Sequence, residues 1–316
     1  MSTALIVLLF LLGVALIVKG GDAFVDAASW IAEAFHIPKF MIGATIVSLA
    51  TTLPELLVSS IAASQGRTEM AIGNAVGSVT ANVGLIMGIS ILCMPSRMKR
   101  GQFALKGILM IASAGLLYLL SRGGSLSLRR GAVLLAVFLV FFWQNIREAG
   151  RAIGLASGGE RPEGGVILNL AKFLLGAAGI VLGAQLLVDN GSALARLLGV
   201  PEGIIGVTVI AIGTSLPELV TTLTAIAKKQ ASLSIGNIIG ANIIDLTLIL
   251  PVSAWISQGS LPISAQSARL DFPACFLVCL IAVLPPLLTE RFRRWQGLLL
   301  LAVYAGYLSA LCTAFL

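Results

Sequence analysis

The chain has 316 residues, of which 58% are hydrophobic and 11% charged, and its mean hydropathy is +1.01. That composition excludes a soluble globular domain, and the absence of short alternating segments excludes a transmembrane β-barrel. The formal charge of +7 marks no nucleic-acid-binding face, because the basic residues sit at the ends of apolar runs, as membrane topology requires.

Apolar segments run over residues 3–33, 40–64, 70–95, 103–121, 128–146, 166–197, 203–227, 232–256, 272–289 and 296–315. Each is long enough for a hydrocarbon core of about 30 Å, so the expected fold class is an all-α integral membrane protein with ten transmembrane helices. Leu5 to Val18 lacks a basic flank and a small-residue cleavage site, which reads as a retained first span. The first and sixth segments exceed what a bilayer needs and are expected to tilt or bend. Residues 148–165, EAGRAIGLASGGERPEGG, form the one linker-like stretch. They divide residues 1–147 from 166–316 and are too short for a folded domain. Cys93, Cys275, Cys279 and Cys312 all lie in apolar sequence and form no disulfide framework. His36 stands alone in a short loop.

Orientation follows from the basic residues. With the amino terminus outside, inner connections carry Lys39, Arg97, Lys99, Arg100, Lys106, Arg147, Arg151, Arg161, Lys228, Lys229, Arg291, Arg293 and Arg294. Outer ones carry Arg67, Arg122, Arg129, Arg130, Arg196 and Arg269. The excess of inner positive charge predicts both termini outside the cell membrane.

Within this pattern one stretch occurs twice. Gly43 to Glu55 reads GATIVSLATTLPE, and Gly206 to Glu218 reads GVTVIAIGTSLPE. The same spacing maps Asp26 onto Asp189, Pro38 onto Pro201, Asn74 onto Asn237, Gly77 onto Gly240 and Asn82 onto Asp245, without a gap from about Leu11 to Leu92. The copies sit in spans two and seven. Five spans separate them, an odd number, so they cross the membrane in opposite senses. The fold is therefore expected to be two inverted five-helix repeats, a design that places a substrate near the midplane beside interrupted helices.

Pro54 and Pro217 withhold an N–H from the carbonyls of Ala50 and Gly213, freeing acceptors at membrane depth. The second and seventh helices are thus expected to be broken there. A carboxylate follows each proline, Glu55 and Glu218, and hydroxyls precede it at Thr51, Thr52, Thr214 and Ser215. Mixed oxygen donors with two negative charges suit a hard cation such as calcium, while zinc would want His or Cys. No intramembrane arginine is spaced to pair with both acids, and unpaired charge at a bilayer centre is costly.

Nineteen residues after each glutamate, counted to the asparagine, come IGNAVGSVTAN (Ile72 to Asn82) and IGNIIGANIID (Ile235 to Asp245). Gly73 and Gly77, like Gly236 and Gly240, make small faces on which a helix can pack closely. Asn74, Ser78 and Asn82 share a stripe, repeated by Asn237, Ala241 and Asp245. That stripe could complete a cation cage or could serve as interhelical hydrogen bonding. Asp22 and Asp26, with counterparts Gln185 and Asp189, suit either an access path or a wetted interface.

TTLPE at 51–55, TSLPE at 214–218, and the GN-x-x-G-x-x-x-x-[ND] run after each resemble the two α-repeats of the sodium/calcium exchanger (cation/calcium antiporter) family. The resemblance implies a ten-helix fold with four central ion sites and first and sixth helices that slide to switch access. It makes Glu55 and Glu218, with the carbonyls of Thr51 and Thr214, calcium ligands. Sodium would use the same glutamates with Ser48, Thr51, Thr52, Ser78, Asn82, Ala211 through its carbonyl, Thr214, Ser215 and Asp245. Two departures stand out: Ala50 where the family has glycine, and Ala241 opposite Ser78, which removes one hydroxyl from the second repeat.

The expected function is secondary antiport of Ca2+ against Na+, with Ca2+/H+ antiport as the alternative because the acids can titrate. A channel would lack coupling, and no nucleophile or acid pair with hydrolytic spacing suggests an enzyme. The expected partners are inorganic cations and the lipid bilayer, with no cofactor, no nucleic acid and a functional monomer.

Overall fold

A computed structural model describes residues 2–155, 165–198, 213 and 215–315, most of them helical. The helices are α1 (Thr3–Ala34), α2 (Lys39–Ser64), α3 (Thr68–Cys93), α4 (Arg100–Leu120), α5 (Leu128–Leu155), α6 (Val166–Leu197), α7 (Leu216–Ala227), α8 (Ala231–Ile256), α9 (Ser267–Thr289) and α10 (Arg294–Phe315). Among the described residues, nine of these are long and apolar enough to cross a membrane. The tenth, α7, is the described part of the expected seventh span; the first half of that span lies outside the described residues.

The inversion of the halves is visible in how repeat-mates touch. Gly13 of α1 abuts the Gly183 carbonyl and the Leu187 amide of α6, and Gly20 abuts the Gly176 carbonyl and the Ile180 amide. Gly13 corresponds to Gly176 and Gly20 to Gly183 in the duplication, so each contact is the image of the other. As α1 advances α6 recedes: the two mates run antiparallel. The four free cysteines are buried at Cys275 and Cys279 and exposed at Cys93 and Cys312.

Helix α8 is the axis of the core. Of its most apolar stretch 94% is buried, against 17% for the peripheral α10. It lies parallel to the start of α2, with Phe40 and Ala44 against Gly236, and Ala44 and Ser48 against Gly240. Only the lack of side chains at Gly236 and Gly240 allows backbone to meet backbone here. Gly73 and Gly77, their images in the first repeat, meet no described atom within 4 Å of where a Cβ would stand; the matching partner segment, 203–211, is outside the described residues.

Two ribbons tie the helix ends. Ser125–Ser127 (β1) pairs antiparallel with Ser260–Pro262 (β2), Leu126 opposite Leu261, joining the α4–α5 and α8–α9 connections. At the other end of the helices Arg97 forms a bridge with Arg291, with Met98 N donating to the Glu290 carbonyl and Phe292 N to the Ser96 carbonyl. This joins the α3–α4 and α9–α10 connections. The duplication exchanges these two pairs of connections, so the ribbons are images of each other on opposite faces.

Two expectations need correction. Helix α2 is not cut at Pro54. It widens into a π-helical turn over Gly43–Val47 and then continues as α-helix through the proline; neighbouring helices and local π adjustments let a helix at membrane depth tolerate a proline. In the second repeat the helix does start afresh: α7 begins at Leu216, with Pro217 in its first turn, where a missing N–H costs nothing. The linker is also shorter than 148–165, since α5 runs on to Leu155. Glu148 holds that extension, its carboxylate 2.7 Å from the Nζ of Lys106, which is only 2% exposed. A buried ammonium requires such a partner.

Substituting Gly236→Ala would put a Cβ 3.0 Å from the Phe40 carbonyl carbon and 3.1 Å from the Ala44 amide nitrogen. Backbone cannot yield cheaply, so a loss of about 1–3 kcal/mol is expected. Gly306→Ala, in open surroundings on α10, should instead gain up to about 1 kcal/mol from helix propensity. Thermal unfolding of the two purified variants checks the opposite signs.

Candidate functional site

Four helices meet at the centre: α2, α3, α7 and α8. From α2 come Ser48, Thr51, Thr52 and Glu55; from α3, Ser78 and Asn82; from α7 and its N-cap, Glu218 and Ser215; from α8, Asp245. All nine are buried, with Glu55 and Glu218 each 1% exposed and Asp245 fully enclosed. Ala211 and Thr214 lie outside the described residues.

The α2 contribution is built by hydroxyls that turn back onto their own helix. Thr45 Oγ1 donates to the Met41 carbonyl (2.7 Å), Ser48 Oγ to the Thr45 carbonyl (3.0 Å) and Thr52 Oγ1 to the Ser48 carbonyl (2.6 Å). Such bonds give carbonyls in and beside the π turn a side-chain donor. Thr51 Oγ1 donates to Asn237 Oδ1 at 3.2 Å. The motif of one repeat therefore touches the polar stripe of the other.

Further π turns open at the site itself. One begins at Asn82 in α3 (Asn82–Met87) and one at Asp245 in α8 (Asp245–Ile249). These two residues are repeat-mates, so the widening is duplicated along with the sequence. A π turn rotates the following face of the helix and frees carbonyls, a recurrent device at functional sites.

The carboxylates are within electrostatic reach of one another: Glu55 of Glu218 and Asp245, and Asp245 of Glu218. Among the described residues, both oxygens of Glu55, both of Asp245 and Oε2 of Glu218 have no hydrogen-bond partner, and neither do Asn82 Oδ1 and Ser215 Oγ. Among the described residues no three His, Cys, Asp or Glu side chains cluster closely enough to hold one metal ion alone. A cation here would therefore take most of its shell from hydroxyl, amide and carbonyl oxygens, as a hard ion in a flexible cage does.

The asparagines of the two stripes make interhelical hydrogen bonds, one of the two roles expected of them. Asn74 is a brace: its Nδ2 donates to the Glu55 carbonyl (3.2 Å) and to Ser59 Oγ (2.9 Å), locking α3 to α2. Asn82 instead donates its amide to Asn242 Oδ1 at 3.3 Å and keeps its own oxygen free. Asn242 escaped sequence reasoning because its repeat-mate is Val79, so the duplication drew no attention to it. Thr221 and Thr222, one turn beyond Glu218, are also buried with unpartnered hydroxyls. Their signal was only the run of small polar residues after the glutamate.

The remaining acids divide by face. Asp22 and Asp26 of α1 pair with Lys228, at 3.4 and 2.8 Å, just past the end of α7. Partial burial lowers the affinity of the Lys228 amine for its proton, but the Asp26 hydrogen bond and the charges of Asp26 and Asp22 outweigh this and hold it above the ordinary value. Gln185 and Asp189 of α6 line a cavity of about 810 Å³ that reaches Pro54 and Pro217.

The family model for "Sodium/calcium exchanger protein" matches residues 5–147 and 168–313. The chain is 31% identical to the sodium/calcium exchanger MaX1 of Methanosarcina acetivorans, over 96% of this chain and 97% of that one. It is 34% identical to the inner membrane protein YrbG of Escherichia coli, over 87% of each. Among solved structures it is similar to the sodium-calcium exchanger NCX_Mj soaked with 100 mM Na+ and 10 mM Sr2+, with a TM-score of 0.85, 29% identity and full coverage of both chains.

If Asn74 braces the site, Asn74→Ala should leave the Glu55 carbonyl and Ser59 without their shared donor. The expected cost is about 1–3 kcal/mol, seen as a melting temperature several degrees lower in the purified protein. An unchanged melting temperature would remove Asn74 from the bracing role.

Proposed function

The chain belongs to the sodium/calcium exchanger protein family, and we propose that it exchanges Ca2+ for Na+ through alternating access to the central site. The observation that carries this reading is the pair Glu55 and Glu218. One acid comes from each inverted repeat, both are buried, and between them three carboxylate oxygens have no protein partner. Calcium would be held by these two carboxylates with the carbonyls of Thr51 and Thr214. Sodium would draw on the same acids and on Ser48, Thr51, Thr52, Ser78, Asn82, the Ala211 carbonyl, Thr214, Ser215 and Asp245. Because the two ions share ligands, occupation by one excludes the other, and that competition is what couples their movements.

Residues 1–147 and 166–316 act as the two inverted repeats, and the chain is an integral membrane protein. We assign both termini to the outside of the cell membrane from the distribution of Lys and Arg. One chain supplies the whole ligand set, which supports a monomeric unit. Proton coupling, the alternative drawn from the acids alone, is not favoured by relatives named for sodium and calcium.

Ala241 distinguishes this chain's sodium chemistry. It is fully buried on α8, where its repeat-mate Ser78 carries a hydroxyl. One missing oxygen donor corresponds to about 1–3 kcal/mol, or about tenfold to a hundredfold in affinity.

Calcium uptake by proteoliposomes under an imposed sodium gradient tests the reading. Glu55→Gln and Glu218→Gln should each reduce uptake to background in folded protein, since removing one charge from a low-dielectric divalent site is far costlier than at a surface. Near-normal flux in either would overturn the assignment. In the same assay Ala241→Ser should shift sodium activation to concentrations lower by about tenfold or more. An unchanged curve would show that position 241 does not contact sodium.

A further inference from the structure

The ribbon joining the α3–α4 and α9–α10 connections carries something its image does not. Its flank is a crevice of about 370 Å³ lined by Ser96, Arg97, Arg291, Arg293 and Arg294. The other ribbon, on the opposite face, is built of Ser125, Leu126, Ser127, Ser260, Leu261 and Pro262. Of the arginines near it, Arg130 donates to the Leu120 and Ser125 carbonyls, and Arg122 lies over the Tyr118 ring. Topology alone asks for basic residues near an inner connection. It does not ask for four arginines lining one concavity.

Among the described residues, none of the four arginines has a carboxylate partner. Glu290, the acid in this ribbon, accepts the backbone N–H of Arg100 at 3.0 Å. Ser96 Oγ, in the crevice wall, is buried without a hydrogen-bond partner. Unpaired guanidinium groups with a free hydroxyl are the donor set that recognises phosphate oxygens. Leu288 and Trp295, close in sequence to the lining residues, are 76% and 49% exposed. An indole at a span end marks headgroup depth.

We propose that this crevice binds the phosphate of an anionic phospholipid headgroup, with Arg97, Arg291, Arg293 and Arg294 on the phosphate oxygens and Ser96 as an additional donor. The exposed Leu288 and Trp295 favour a lipid over a soluble phosphate, because they place the acyl chains beside the protein as the headgroup enters. Its position in the inner leaflet rests on the orientation proposed above; binding itself does not. Anionic lipids of that leaflet attract basic segments.

Native mass spectrometry of the full purified chain, titrated with phosphatidylglycerol or phosphatidylcholine, tests the proposal. The wild type should retain phosphatidylglycerol at concentrations about tenfold lower than phosphatidylcholine. Arg97→Gln/Arg293→Gln should erase that preference, while Arg122→Gln/Arg129→Gln, which removes equal charge from the opposite face, should keep it. Ser96→Phe fills the crevice without altering charge and should also lose the preference, so the test survives if the arginine variant fails to fold. Equal retention of the two lipids by wild type, or an unaltered preference in both crevice variants, would overturn the site. Inorganic phosphate displacing the lipid at matching concentration would overturn the lipid as its source. Labelling of Lys99→Cys from one side of sealed vesicles decides the leaflet separately.

Discussion

Three carboxyl groups, Glu55, Glu218 and Asp245, lie together in the interior of an apolar molecule, and five of their six oxygens lack a protein donor. Taking an ion from water into such surroundings costs several kcal/mol, and placing like charges near each other adds to it. The protein does not relieve this with an internal arginine or lysine; the buried Lys106 is committed to Glu148. What it supplies instead is a shell of hydroxyls and carbonyls from four helices. The backbone irregularities follow from that arrangement. Wide turns begin at Gly43, Asn82 and Asp245, and α7 begins at Leu216, two residues before Glu218.

Duplication with inversion explains how two acids on separate segments reach the same depth. A single copy could offer one carboxylate and one set of hydroxyls from one side. Its inverted image offers the same set from the other, and the Thr51–Asn237 contact stitches the two. Departures from the symmetry are where the two faces of the membrane become unequal. Asp22 and Asp26 hold Lys228, while their images Gln185 and Asp189 border a cavity. Ser78 carries a hydroxyl where Ala241 has a methyl, and arginines line a crevice beside one ribbon while the strands of the other contain none.

Much of this was legible in the residues. Apolar length marked the spans, the repeated Pro-Glu picked out two acids that prove to be buried, and the i, i+4 spacing of Asn74, Ser78 and Asn82 put them on one face. Other features left no trace of that kind. A π turn shifts hydrogen-bond partners by one residue without changing composition, so the widening at Asn82 and Asp245 was hidden. The proline at 54 suggested a break because its lost hydrogen bond was visible, while the π turn ahead of it left no mark in the composition. Asn242 and the pairing of Asp22 and Asp26 with Lys228 are asymmetric, and a reading led by the repeat passes over what is not repeated. The ribbons depend on loops distant in sequence, which no periodicity connects.

Helices α1 and α6 pack on each other through glycines at two mirrored points, and each buries only 28% of its most apolar stretch. At about 1.5 Å per residue, 32 residues measure about 48 Å, well beyond a hydrocarbon core of about 30 Å. The pair must therefore lean, with most of its surface against acyl chains. Any displacement of this pair relative to the core is work done largely on lipid. The thickness and stiffness of the host membrane thus enter the energy of the transport cycle as a mechanical load, and the same chain in a thicker bilayer would turn over on a different energy landscape.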